Sequence, residues 1–476
     1  MSQPTPKFKT SRPNIVLFLT DDHARWAHGC YGNVEVQTPN LDSLAREGVL
    51  FENAFTPTPV CSPARACLLT GRTASQVGIH DWLQEEIPGV CGKDWLDGEV
   101  TLPEMLSCAG YVCGLSGKWH LGQSYQTPRG FSWRSCQIGG DGHHEGHYSI
   151  QVDGRTVPLI GNKTKIFTDQ ALEFLDNVPL EQPFFLNIGY IATHSPYEAQ
   201  AHDPETVALY RDATFCDIPE YKPHPWARNE GFPTPSGTPE QRRSRYMGYY
   251  SGATEIDRAV GRVRNALKQR GQLDNTLIIY TSDHGCSLGH HGFWGKGNGT
   301  RPLNMWDVSL RVPLIVRWPE AIRQGVRINS NVSHYDTFQT ICALAGVTPD
   351  PARNCPGRSY ETMLTNVELQ QWDSTIFGEY GDLRMVRTPD WKLIVRYGHC
   401  PNELYDLKND TQETNNLAGR PELASLQAQL SARIDRFYAY HEDPQKTGLN
   451  ATRINPHNEH SPFHDGIRER NAAQIV

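Results

Sequence analysis

The chain has no Lys/Arg run, no apolar stretch long enough to cross a bilayer, no short-spaced cysteine framework, no internal repeat and no low-complexity segment. Each absence excludes something. A formal net charge of -8 argues against a nucleic-acid binder held by phosphate neutralisation, so any attraction for an anionic ligand has to be local. Met1 to Thr10 is polar and lacks the apolar centre of a secretory leader, and the run Ile15 to Leu19 is far too short to span a membrane. These features predict a cytoplasmic protein without a membrane partner. The twelve cysteines are scattered, which predicts mostly free thiols. The sequons at Asn162, Asn298, Asn331, Asn409 and Asn450 are then chance matches, because glycosylation needs a secretory route. What remains is an ordinary globular composition in 476 residues, room enough for two or three domains.

The order of elements is that of an α/β protein. Asn14 to Thr20 is a continuous apolar run that predicts a strand buried on both faces, as in a parallel sheet, and it ends in Asp21-Asp22-His23. Paired carboxylates at a strand's C-terminal end lie where open α/β sheets bind ligands, and adjacent like charges favour a cation between them. Short helices are predicted over 41–47 and from Thr101 to Gly110, with a strand from Tyr111 to Leu115. Lys118 and His120 then alternate like strand neighbours, which puts both on one face. A Gly/His-rich loop spans 139–147, a helix capped by Thr168 runs to about Asn177, and a buried strand over 183–191 delivers Thr193-His194 to the same sheet edge. Residues 202–240 read as a long surface excursion. A helix from Tyr249 to Gly271 precedes a strand over 276–282 that ends in Asp283-His284. A flexible loop over 292–301 carries Lys296, and 311–319 and 334–345 read as strand and helix. Beyond about residue 365 the texture changes to antiparallel strands at 375–377, 384–387 and 391–396, a helix over 421–440 and a polar tail.

The densest chemistry is Thr58 to Arg72. Pro63 suits the first turn of a helix that Gly71 ends, so Cys61 sits at the helix N-terminus, where unpaired N–H groups and the dipole favour an anion, and Arg65 is one turn on. Taken singly, Cys61 is a buried small hydrophobe, Asp21-Asp22 a solvated turn and Lys118 a surface lysine.

Cys-x-Pro-x-Arg followed by Thr-Gly-Arg resembles the signature of the type I sulfatases, and the phrases at 38–48, 117–122, 283–285 and 403–418 are similar to that family as well. The resemblance covers nearly the whole chain. It implies an alkaline phosphatase-like mixed β-sheet sandwiched between helices, with a smaller C-terminal α+β subdomain on a short antiparallel sheet, divided here as 1–365 and 366–476. It implies that Cys61 is the precursor of formylglycine, made by a formylglycine-generating maturation enzyme, whose hydrated form attacks the sulfur of a sulfate ester. Asp21, Asp22, Asp283, His284 and residue 61 would hold Ca²⁺, with Mg²⁺ as the alternative; the position of His284 is often Asn in the family. Arg65, Lys118 and Lys296 would neutralise charge, His120 would act as base, His194 would bind sulfate, and His194 or Lys296 would protonate the leaving alcohol. Residues His143, His144, His147, Asn298 and Arg301 are the candidates for substrate binding, on a small sulfated substrate read as a carbohydrate ahead of an aryl or choline sulfate. A phosphonate monoester or phosphodiester hydrolase using the same nucleophile, and a non-catalytic sulfated-ligand binder with unmodified Cys61, are the alternatives. A homo-oligomer stays open.

Overall fold

The structure is a computed structural model that describes residues 12–138, 147–152, 155–220, 222–228, 237–365, 371–398, 400–453 and 457–463. The run Asn14–Thr20 is a strand with every residue buried. Its side chains divide between two cores: Ile15, Leu17 and Leu19 pack with Leu68 and Phe338, whereas Val16 and Phe18 pack with Leu44, Phe174 and Val260. A strand covered on both faces has no solvent side, which is why the run is apolar without alternation.

Among the described residues eleven strands form one mixed sheet. Its middle is parallel, with Thr276–Ser282, Asn14–Thr20, Phe184–Gly189, Val112–Gly117 and Trp133–Gln137 side by side. The antiparallel pair His147–Val152 and Arg155–Ile160 finishes one margin. At the other, Leu314–Arg317 runs antiparallel to Thr276–Ser282, and Val49–Phe55 lies beyond it. Helices Cys61–Thr70 and His334–Leu344 cover one face, and Pro39–Arg46, Lys163–Asn177 and Pro239–Gln269 cover the other. A second sheet of four antiparallel strands, Ile376–Tyr380, Leu383–Arg387, Trp391–Arg396 and Glu403–Asp406, packs helix Ala424–Tyr440 on one face. The expected architecture, a mixed sheet between helices with a small antiparallel sheet towards the C-terminus, is therefore the one the chain forms. No helix of the described residues is long and apolar enough to cross a membrane.

Several expected boundaries move. The helix expected from Thr168 starts at Lys163, because Asn162 caps it by accepting from the Lys165 N–H at 3.0 Å, while Thr168 turns back to donate to the Thr164 carbonyl. The helix expected from Tyr249 starts ten residues earlier, at Pro239, behind a capping box of Thr238 and Gln241. The excursion over 202–240 is pinned to the body: Tyr210 and Phe215 pack on Tyr250 with ring centroids 5.4 and 5.2 Å apart. Pro313 divides the strand expected at 311–319 into Arg311–Val312 and Leu314–Arg317, since it has no N–H to give the ladder.

Candidate active site

Three parallel strands from the middle of the sheet end at one place. Asn14–Thr20 runs out into Asp21 and Asp22, Thr276–Ser282 into Asp283 and His284, and Val112–Gly117 into Lys118, all at most 2% exposed. Lys118 reaches this edge because two glycines let the chains close: a Cβ on Gly117 would stand 2.2 Å from the Gly189 carbonyl oxygen, and one on Gly189 would stand 2.4 Å from that of Lys118. The Lys118 N–H donates to Gly189 across that gap.

Helix Cys61–Thr70 is buried along its whole length and points its N-terminus at this edge. It ends at Gly71, whose left-handed backbone and close approach to the Phe338 ring suit glycine alone. The Cys61 sulfur lies 2.9 Å from Lys296 Nζ, 3.3 Å from His284 Nε2 and 3.6 Å from Asp21 Oδ1. Burial pushes this thiol up, but Lys118, Lys296 and His284 together bring it well below the usual range, which favours the thiolate. Arg65, one turn on, donates from Nε to Asp283 Oδ2 at 2.9 Å and from Nη1 to the Lys118 carbonyl at 3.0 Å. Lys118 donates to Asp21.

The carboxylates are more than the protein's own donors satisfy. Asp22 Oδ1 is buried with no hydrogen-bond donor, although Lys296 Nζ stands 3.0 Å away, and burial together with Asp21 raises Asp283. Ligand atoms of Asp21, Cys61, Asp283 and His284 lie within 4.8 Å of one another, and a second such group is Asp21, Asp22 and His194. Oxygen-rich donors with one imidazole, crowded and under-satisfied, fit a hard divalent cation.

The histidines are oriented by carbonyls. His120 gives its Nε2 hydrogen to the Leu83 carbonyl at 2.9 Å, which leaves Nδ1 as a lone pair facing the Cys61 sulfur; burial and then Lys118 push this imidazole down to about 4. His194 directs Nδ1 at the Ser195 carbonyl, 2.8 Å away, and Nε2 towards Asp22 Oδ2 at 4.0 Å. Burial lowers it, but Asp21 and Asp22 leave it raised overall.

The reason for the placement of Lys118 and His120 differs from the one expected. The strand stops at Gly117, and His120 turns inward through a left-handed backbone with φ 61°, not through alternation. Asp22 adopts the same region with φ 59°, held by Tyr249 and Thr193 hydroxyls that donate to its carbonyl at 2.5 and 2.9 Å. Two non-glycine residues in this region at one site are stored strain, maintained by the packing around them. Lys296 is 2% exposed in a pinned loop, not a flexible one: the Gly297 N–H donates to Pro59, and Asn304 Nδ2 donates to the Lys296 carbonyl.

Asn298 is 2% exposed, with Oδ1 buried and unpartnered, and Arg301 is half-buried beside it. His143 and His144 lie outside the described residues, as does the side chain of His147, whose backbone opens a strand opposite Ile160. Sequence reasoning missed Asp81 and Tyr380. Both are buried, and the Tyr380 hydroxyl donates to Asp81 at 2.9 Å. The signal for Asp81 was a polar pair, His80-Asp81, inside the otherwise apolar stretch Ile79 to Leu83.

Parallel strands that run out into buried carboxylates beside a helix N-terminus are the arrangement of the alkaline phosphatase-like class of hydrolases. A family model described as "Sulfatase" matches residues 13–347, and one described as "N-sulphoglucosamine sulphohydrolase, C-terminal" matches residues 289–440. The chain belongs to the sulfatase family, and it is a sulfatase-type enzyme. The N-acetylglucosamine-6-O-sulfatase of Bacteroides thetaiotaomicron is 28% identical over 92% of this chain and 88% of that protein. Human N-acetylgalactosamine-6-sulfatase is 30% identical over 79% of this chain and 70% of that protein. A solved structure of a protein in complex with its substrate D-glucosamine-2-N,6-O-disulfate has a TM-score of 0.75 at 26% identity, covering 92% of this chain and 99% of that one. The phosphonate monoester hydrolase of Agrobacterium radiobacter, 21% identical over 90% of this chain and 96% of that one, shares the fold with a TM-score of 0.67.

Proposed function

We propose that this enzyme hydrolyses a sulfate monoester on a saccharide, with formylglycine made from Cys61 as nucleophile and Ca²⁺ or Mg²⁺ held by Asp21, Asp22, Asp283 and His284. The observation that carries this reading is the setting of the Cys61 sulfur, at a helix N-terminus and between Lys296 Nζ at 2.9 Å and His284 Nε2 at 3.3 Å. An atom so placed is stabilised as an oxyanion, the form in which a hydroxyl of the hydrated formylglycine attacks sulfur. Names of the relatives support the saccharide: two of them are hexosamine 6-sulfatases.

In this reading Lys118, Lys296 and Arg65 supply positive charge around the transferring group, which no longer has to be stabilised by water. A hydrated formylglycine supplies two hydroxyls, one to take the sulfuryl group and a second whose loss of a proton expels sulfate. A divalent cation held by Asp21, Asp22, Asp283 and His284 would supply Lewis-acid chemistry there, favouring the ionised form of residue 61 and offsetting charge on the sulfate. His120 is the base for that second proton, because its Nε2 hydrogen is committed to Leu83 and its Nδ1 faces residue 61. His194, raised by Asp21 and Asp22 against the pull of burial and 16% exposed at the mouth of the site, protonates the departing alcohol.

Two measurements test this. Protein produced with a formylglycine-generating enzyme should yield a Cys61 peptide lighter than the thiol form, and should release sulfate from a panel of sulfated mono- and disaccharides. Rates on 4-nitrophenyl sulfate should exceed those on a phenylphosphonate ester; the opposite order would assign the nucleophile to phosphonate or phosphodiester hydrolysis instead.

A further inference from the structure

Four residues beyond Lys296 the chain pairs with a segment from the excursion. Ala227 and Thr300 face each other in an antiparallel bridge, in which Arg301 N–H donates to Trp226 at 2.7 Å and Arg228 N–H to Gly299 at 3.1 Å. Side chains alternate across such a bridge. Ala227 and Thr300 are buried, with Ala227 in a hydrophobic core, so Trp226, Arg228 and Arg301 share the other, half-buried face.

That face adjoins the active site: Arg301 Nη1 donates to the carbonyl of Asn298, two residues past Lys296, whose Nζ stands 2.9 Å from the Cys61 sulfur. The Asp81 carboxyl attracts the Arg301 guanidinium at longer range. The segment carrying Asp81 touches the nucleophile's helix directly: two residues on, the Leu83 N–H donates to Ser62 Oγ at 3.0 Å, and the Leu83 carbonyl receives His120. Asp81 itself is already engaged by the Tyr380 hydroxyl and the Trp82 N–H, each at 2.9 Å. Among the described residues Arg301 donates only to carbonyls, those of Asn298 at 3.1 Å, Thr300 at 2.9 Å and His460 at 3.5 Å. Among the described residues no carboxylate stands within 4.0 Å of it. Burial, and then Arg228 beside it, lower its pKa to about 10, which leaves it charged at neutral pH.

A half-buried guanidinium bonded only to neutral acceptors keeps a charge and a planar fork that match an oxyanion. The geometry points to Arg301, with Arg228 on the same face, as the recognition point for a second anionic group on the substrate. The preferred ester is accordingly a saccharide that carries another sulfate or a carboxylate beside the sulfate to be cleaved. This rests on the sulfate-ester reading above for its substrate class, but its binding test does not depend on turnover.

Equilibrium titration of Cys61→Ala protein, which cannot consume ligand, would compare a hexosamine 6-sulfate with its 2-N,6-O-disulfated counterpart and with a disaccharide joining the 6-sulfated hexosamine to a hexuronate. The doubly anionic ligands, or one of them, should bind at least tenfold more tightly, and whichever does names the second group as sulfate or carboxylate. Introducing Arg301→Gln should erase that ratio, whereas Arg301→Lys, which keeps the charge and loses the fork, should retain part of it. Equal affinities for all three ligands, or a ratio that survives Arg301→Gln, overturns the inference. Absence of sulfate release by the mature enzyme would instead count against the sulfatase reading and leave this binding result standing.

Discussion

Two regions of this molecule bury a knot of opposite charges, and they are built to different ends. Where the small sheet meets the large one, Asp307 receives three bonds from Arg387, at 3.1, 3.1 and 2.9 Å. Lys392 bridges Asp307 at 2.9 Å and Glu413 at 2.6 Å, and the Asp307 N–H donates to Glu413 at 2.5 Å. No polar side-chain atom of these four residues is left buried without a partner. At the sheet edge, by contrast, Asp22 Oδ1, Arg65 Nη2 and His120 Nδ1 are all buried without hydrogen bonds, and two backbones are held in the left-handed region. Buried charge is common to both. Unfinished satisfaction is what separates a site for chemistry from a rivet, because a group that still lacks partners retains free energy to spend on a ligand.

The sharpest way to break this contrast is to substitute one residue in each cluster and read both activity and stability. With Cys61→Ser, the enzyme should transfer one sulfuryl group and stop, since a serine ester has no second hydroxyl to expel sulfate. Steady-state sulfate release should fall by about a thousandfold or more, with a thermal midpoint shifted by less than about 3 °C. Repeated turnover by this variant would remove formylglycine from the mechanism. With Lys392→Met, Glu413 loses its cation and Asp307 one of two. The cost should be roughly 3–5 kcal/mol, read as a lower urea midpoint, while kcat of the protein that remains folded is unchanged. A loss of kcat without a loss of stability would show that the second cluster is part of the chemistry after all.

Much of the site was legible because its residues sit where the backbone pattern changes. Each apolar run that ends in Asp-Asp, Asp-His or Gly-Lys marks a strand meeting the ligand edge, and the Cys61 helix is bracketed by Pro63 and Gly71. What could not be read is set by distant contacts. Nothing local in Trp119-His120-Leu121 announces φ 61° at His120, which depends on the Leu83 carbonyl thirty-seven residues away. The early start of helix Pro239–Gln269 was hidden because its first two turns, Pro239 to Arg245, have no apolar face, and only the Thr238 and Gln241 capping pair signals it. Asp81 and Tyr380 come together across 299 positions, so neither implies the other.

The smallest expected effect concerns the support behind the site. His23 and His28 stack with centroids 3.9 Å apart directly behind Asp22, and His28 points Nδ1 at the carbonyls of Ala24 and Arg25 at 3.0 and 3.3 Å. Burial pushes His28 down to about 3, so the folded chain leaves it neutral while the unfolded chain protonates it below about pH 6.5. The unfolded state therefore binds more protons in this window, and stability falls as the solution is acidified from about pH 6.5 towards 3, being fully present only above the unfolded value. Between pH 6.5 and 5 the loss from this one imidazole is about 2 kcal/mol. Asparagine can keep a donor near the Nδ1 position without titrating, so His28→Asn should flatten the urea midpoint against pH over that interval by that amount and leave the Asp307 cluster's contribution in place. An unchanged slope in His28→Asn would mean that the acid sensitivity lies in the ion pairs of the small sheet, and that the histidine stack is as finished as the rivet.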